Sequence, residues 1–172
     1  MSLHEEMIQI GTQALDASRE LVLSNSRKKN AILLAMADEL EARQDDIAAA
    51  NAKDIAAGQE AGLNPAMLDR LLLSPARMDS MISSLREVAA LKDPVGDKIS
   101  RWLRPNGLEI VKQRVPIGVI GIIYESRPNV TADTAGLCIK TSNAVILRGG
   151  KEAVHSNAAI ADALTAGGAK KG

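Results

Sequence analysis

The sequence predicts an α/β fold: a helical layer, then a β-hairpin arm, then the first βαβα part of a parallel sheet. Three observations carry this expectation. Up to residue 91 apolar side chains recur at helical spacing. After Gly96 the period changes to two extended runs flanking Pro105-Asn106-Gly107, and Asn-Gly between such runs is a strong hairpin signal. From residue 117 onward a β-branched run, a turn, a helical segment and a second short apolar run follow on brief connections, which is the pattern of a βαβ unit. The expected units are residues 1–95, 96–115 and 116–172.

Within residues 4–23, Met7, Ile10, Ala14, Ala17 and Leu21 make one helical stripe. Ser24-Asn25-Ser26 breaks that helix and offers a cap for the next. The second helix shows Ile32, Leu33, Met36, Ala37 and Leu40 on one side, leaving Arg27, Lys28, Lys29, Asp38, Glu39 and Glu41 for the wet side. Alanine-rich sequence carries the pattern through Ile47 and Ile55 until Gly58 and Gly62 weaken it. Asn64-Pro65 and Ser74-Pro75 each pair a cap with proline at the first helical position, so helices are expected over 66–72 and from 75 to about 91, where Asp93-Pro94 stops the second. This layer is read as plain solvated helices with no site of its own.

Hairpin strands are expected over 99–104 and 108–114. They mix Ile99, Trp102, Leu108, Ile110 and Val111 with Arg101, Arg104, Lys112 and Arg114, and a two-stranded hairpin is marginal unless it leans on something else. The run 117–124 then reads as a strand buried on both faces. A turn over 125–128, a helix over 129–140, a break at Thr141-Ser142-Asn143 and a strand over 144–147 complete the crossover. The segment 148–152 opens a last helix, 153–166, which Gly167-Gly168 is expected to end. A two-stranded parallel sheet keeps two open edges and one face wanting cover. On these grounds the final unit is expected to be half of a nucleotide-binding domain, with its ligand at the carboxyl ends of the strands.

Composition narrows the function. Aromatics make up only 1% of the 172 residues, so the core must be built from Ala, Leu, Ile, Val and Met, and no stacking platform for single-stranded nucleic acid is available. With 21 basic and 21 acidic residues there is no global field to draw nucleic acid or an anionic membrane. No apolar run approaches the roughly 20 residues of a membrane span, and the first residues do not read as a signal peptide, so a cytoplasmic location is expected. The one cysteine, Cys138, lies late in an apolar helix and reads as a buried structural thiol. His4 and His155 have no nucleophile partner at a recognisable spacing, and no metal constellation exists.

The sharpest local chemistry is Arg148-Gly149-Gly150-Lys151. A glycine turn beside a helix N-terminus is a prepared anion site, and Gly149 and Gly150 let backbone approach a ligand. Basic residues at the end of this strand accommodate a 2′-phosphate, where an acidic one would hold a ribose diol. Arg148 and Lys151 therefore favour NADP(H) over NAD, although Glu152 adjoins them and the two cations also suit a solvated loop. The usual G-x-G-x-x-G is absent after the first strand. Asn129 reads as an N-cap for the helix it opens. Arg127, by charge and position alone, could meet a substrate phosphate.

The turn YESRPNV together with LRGGKEA is similar to the cofactor-binding core of the glutamate-5-semialdehyde dehydrogenase (γ-glutamyl phosphate reductase) family, within the aldehyde dehydrogenase superfamily. The likeness extends through the whole chain but covers only the amino-terminal part of that family's protein. It implies an aldehyde-dehydrogenase-type Rossmann-like sheet that does without the glycine fingerprint. It implies NADPH-dependent reduction of L-glutamate 5-phosphate to the semialdehyde, in proline biosynthesis, through a cysteine thioester. Asn129 then supports the oxyanion, worth roughly 3–4 kcal/mol of barrier, and Glu125, Ser126 and Pro128 line the cofactor near its nicotinamide end. The family's nucleophile matches no residue here, so the chain by itself is expected not to catalyse. The hairpin looks like the arm that crosses to another subunit of a homo-oligomer. Another aldehyde dehydrogenase, or a stand-alone nucleotide-binding or assembly module, are the alternative readings.

Overall fold

The computed structural model describes residues 2–171; Met1 and Gly172, at the ends of the first and last expected units, lie outside them. Seven helices and four strands follow in the order α1 (Leu3–Val22), α2 (Ser26–Ala42), α3 (Gln44–Glu60), α4 (Pro65–Leu71), α5 (Pro75–Ala90), β1 (Lys98–Leu103), β2 (Glu109–Gln113), β3 (Val119–Ile123), α6 (Asn129–Lys140), β4 (Ala144–Arg148) and α7 (Val154–Ala169). The cap-plus-proline signals act as expected: Asn64 and Ser74 accept from the amides of Met67 and Arg77, and proline takes the first position of α4 and α5. Asn25 caps α2 the same way.

The continuous helix expected over α2 and α3 is broken at Arg43, which ends one and starts the other. Asp45 and Asp46 in the first turn of α3 favour a new N-terminus there. α2 is the central helix. It packs on α5, α6 and α7, and Leu33, Met36, Leu40, Met81, Leu85, Ile160 and Leu164 build a core without any aromatic ring. α7 does not stop at Gly167-Gly168 but runs through them. A Cβ on Gly167 would lie 2.6 Å from the Ala35 carbonyl oxygen and 2.7 Å from the Met36 Cα, so this glycine sets how closely α7 approaches α2. Close approach, not helix termination, explains it.

Polar groups inside this body are paired. Lys29, expected on the wet side, is 1% exposed, and its ammonium meets Asp93 Oδ2 at 2.5 Å and donates to Ser142 Oγ at 3.0 Å. Lys140 is enclosed nearby, donating to Asn30 Oδ1 at 2.7 Å and to the Ala89 carbonyl at 2.9 Å. Together they fasten α2 to the end of α5 and to the α6–β4 turn. In that turn Ser142 sits at φ 58°.

β1 and β2 form an antiparallel hairpin with Trp102 opposite Ile110 and Arg101 opposite Val111. Its turn is not the two-residue kind. Gly107 donates to the Arg104 carbonyl and takes φ +84°, and Asn106 is not left-handed, so a three-residue connection with glycine at the bulge position closes the strands. The strands pair with each other and leave Ile99, Trp102, Leu103 and Leu108 exposed.

β3 and β4 pair in parallel, Val119 opposite Ala144 through Ile123 opposite Arg148, with α6 as the crossover. Asn143 Oδ1 accepts from the amides of Ile117 and Gly118 and so ties the entry of β3 to that of β4. Contrary to a strand buried on both faces, β3 is only half-buried, and Ile117 and Ile123 are 81% and 79% exposed. The reason is the number of strands: with only β4 beside it, β3 is an edge. α1 lies along β4, yet an apolar hollow of about 540 Å³ remains between Ile10, Leu21, Ile139 and Val145. The parallel α/β architecture is as expected.

Candidate functional site at the carboxyl edge of the sheet

Because β3 and β4 are parallel and in register, they end together, and their loops meet. Tyr124 donates its amide to the Arg148 carbonyl at 3.1 Å, which places the 125–129 turn beside the 148–152 turn. The Tyr124 hydroxyl lies 2.6 Å from Thr131 Oγ1, which donates onward to Asn157 Oδ1 at 3.2 Å. Thr131 spends its proton on Asn157, so Tyr124 is the donor of the first bond. The Asn157 amide abuts Gly149, and a Cβ on Gly150 would crowd the Glu152 carboxylate and the Glu125 backbone. Both glycines therefore sit where backbone passes close to neighbours.

Arg148 and Lys151 are exposed on this rim, and neither forms an ion pair among the described residues. They fit an anionic ligand. The helix N-terminus expected to assist them is spoken for. A three-residue 3-10 turn, Lys151–Ala153, precedes α7, and the buried Asp54 of α3 accepts from the amides of His155 and Ser156 and from the Ser156 hydroxyl at 2.6–3.1 Å. A carboxylate supplied from α3 thus caps α7, and an anion at this edge would rest on Arg148, Lys151 and the preceding loop amides.

In the first turn Glu125 and Arg127 are exposed, whereas Ser126 is buried and reaches only a small hollow shared with Met67, Arg70, Glu125 and Arg127. Pro128, expected to line a cofactor, is fully enclosed; its part is to shape the turn into α6. Pro128, not Asn129, occupies the N-cap position, so the capping role expected for Asn129 does not occur. Its side-chain amide instead donates to Asp133 Oδ2, one turn on, at 3.0 Å. An amide nitrogen has two protons, and one remains. Burial pushes the Asp133 carboxyl up, while the Asn129 amide pulls it partly back.

Asn129, Asp133 and Arg127 face a cleft of about 460 Å³ whose far wall is α4 and α5. Arg70 and Ser84 look into it, while Arg77 at its rim is held by both Asp69 carboxylate oxygens at 3.0 Å. This wall departs from the expectation of a site-free helical layer. Arg70 has no local signal, whereas Asp133 lies one helical turn from Asn129 and could have been flagged by that spacing. Cys138 is 4% exposed and burial pushes its thiol up, which makes it unfit as a nucleophile. His155 and His4 are exposed. Among the described residues no helix is long and apolar enough to cross a membrane, and no His, Cys, Asp and Glu cluster could hold a metal ion.

No protein-family model matches the chain. The γ-glutamyl phosphate reductase of Moorella thermoacetica is 58% identical over 166 residues, 94% of this chain and 40% of that protein. The crystal structure of γ-glutamyl phosphate reductase from Thermotoga maritima matches with a TM-score of 0.92 at 41% identity, covering 96% of this chain and 40% of that one. A putative aldehyde dehydrogenase from Bacillus subtilis matches with a TM-score of 0.68 at 20% identity, over 95% of this chain and 34% of that one, and shows the fold alone. The likeness first read in YESRPNV and LRGGKEA thus holds over nearly the whole chain, with the aldehyde-dehydrogenase-type fold. The chain spans about two fifths of the length of the reductases it matches.

Proposed function

We propose that this chain is the amino-terminal, nucleotide-binding part of a γ-glutamyl phosphate reductase, an oxidoreductase of proline biosynthesis that reduces L-glutamate 5-phosphate to the semialdehyde with NADPH. The observation that carries the reading is the meeting of the 125–129 and 148–152 turns at one sheet edge, in a chain 58% identical to a protein of that name. Arg148 and Lys151 take the adenosine phosphate, while Gly149 and Gly150 let the backbone come close. Glu125 and Ser126 lie toward the nicotinamide end, and Pro128 fixes the turn that aims them. NADPH, when bound, supplies the hydride. Asn129 uses its second amide proton to support the oxyanion of the attacked carbonyl, and Arg127 meets the leaving phosphate. The only thiol, Cys138, is buried and hard to ionise, so the attacking cysteine comes from outside these residues and the isolated chain does not turn over. The hairpin is an arm toward another copy, and the protein works in the cytoplasm.

The test is fluorescence titration with NADPH and NADH. Arg148→Ala with Lys151→Ala should weaken NADPH about tenfold or more, the equivalent of about 1.4 kcal/mol, and leave NADH nearly unchanged. Indifference of NADPH to both substitutions would remove the cofactor assignment, and reductase turnover by the 172-residue chain would remove the assignment of the thiol.

A further inference from the structure

We propose that the cleft between α4–α5 and the start of α6 recognises the α-amino-acid head of the substrate, with Asp133 receiving its ammonium and Arg70 its carboxylate. The proposal rests on the reductase reading for the identity of the ligand, and on the cleft itself for the chemistry. The cleft holds both signs of charge in a small volume, about 460 Å³. A ligand of one sign would satisfy only half of it. Three arginines border it, yet only Arg77 is spent, locked onto Asp69; Arg70 and Arg127 have no ion pair among the described residues.

Asp133 is the counterpart. Its carboxylate is half-buried at the wall and, among the described residues, has no cation in contact and is met only by the neutral amide of Asn129 at 3.0 Å. A carboxylate that is partly desolvated and unpaired gains from an arriving ammonium more than an exposed one does. Burial already raises its pKa, which a cation would reverse. Arg127, which lines both this cleft and a small hollow shared with Arg70, is left for a second anionic group of the ligand. A molecule with a carboxylate and an ammonium on one carbon, and a second anion a few bonds away, brings one charge for each of these three groups. Asp133 would then place the substrate through its head while holding the Asn129 amide.

The experiment is a titration of the ¹⁵N-labelled chain with L-glutamate and with glutarate, which has the same two carboxylates and no ammonium. L-glutamate should shift amides of α4, α5 and the first turns of α6, and bind about tenfold more tightly than glutarate. Asp133→Asn should bring the two ligands within about twofold of each other, while Arg70→Gln should weaken both by a similar factor. Unshifted amides in α2 and α7 report that each variant is folded. Equal binding of the two ligands to the unsubstituted chain overturns the proposal, as does an unchanged preference in Asp133→Asn, shifts confined elsewhere, or no shift at 20-fold excess over about 1 mM ligand affinity. NADPH titration is read separately. Failure there with amino-acid selectivity intact would strike the cofactor assignment, and the reverse would strike only this cleft.

Discussion

The helical body and the β-structure differ in what they bury: among the described residues every large buried apolar side chain lies on the helices or their connections, and none on a strand. In the body, two lysines and two aspartates are drawn inside and each is met: Lys29 by Asp93 and Ser142, Lys140 by Asn30 and the Ala89 carbonyl, and Asp54 by the amides that begin α7. In the β-structure, apolar side chains stand in solvent, among them Ile99, Trp102 and Leu103 on the hairpin and Ile117 and Ile123 by the edge of β3. A region that encloses even its charges carries its stability within itself. A region that exposes isoleucine and tryptophan has its favourable contacts still to make.

The largest expected effect tests the first half of this contrast. Asp93→Ala leaves Lys29 and Lys140 enclosed together without a carboxylate, and removing one partner of a buried pair costs about 3–5 kcal/mol. Urea unfolding followed by circular dichroism measures it, and a loss under about 1 kcal/mol would mean that the body does not depend on its buried charges. Burial alone would raise the Asp93 carboxyl, but hydrogen bonds from Lys29, Ser26 and the Val95 amide outweigh it and hold it below the ordinary aspartate value. A carboxyl depressed by folding stabilises the folded state above its unfolded pKa, and that contribution is lost as pH falls through the folded value. The unsubstituted chain should therefore lose stability on acidification below about pH 4, and Asp93→Ala should lack that component of the loss.

A smaller effect is expected at the α2–α7 contact. Gly167→Ala adds a methyl 2.6 Å from the Ala35 carbonyl, and overpacking of this kind costs about 1–3 kcal/mol. Helix propensity alone would favour alanine there by about 1 kcal/mol. The sign of the change in melting temperature therefore separates packing from propensity.

The same contrast explains what was legible in the sequence. Signals that act within a few residues were readable: Asn25, Asn64-Pro65 and Ser74-Pro75 opened helices, and the apolar runs read at 117–124 and 144–147 became paired strands over 119–123 and 144–148. What failed depended on partners far along the chain. Lys29 looked solvated because its partners lie 64 and 113 residues away, at Asp93 and Ser142. Gly167 looked like a helix end because Ala35 was out of view. Asn129 looked like a cap, but Pro128 holds that position and Asp133 takes the amide. At the site, the two turns were identified because each carries charge beside a turn former, proline in 125–129 and glycine in 148–152. The opposing wall, Arg70 on α4, became visible only once α4 and α6 came to face one cleft.

The smallest effect on folding, and the sharpest test of the second half of the contrast, is expected in the hairpin. Trp102 projects from β1 opposite Ile110 and is 44% exposed, with Leu103 and Ile99 beside it still more open. If these side chains contribute little within their own chain, Trp102→Ser should move the unfolding midpoint by no more than about 0.5 kcal/mol, as surface substitutions do. If they pack instead on a second copy, the same substitution should weaken self-association strongly, because a large aromatic at the centre of an interface is worth about 2 kcal/mol or more. Sedimentation equilibrium and urea unfolding on one pair of samples read the two quantities side by side. A stability loss above about 2 kcal/mol with unchanged association would mean that the hairpin folds back on its own helices, and the division between a self-contained body and an outward-facing β-region would fall.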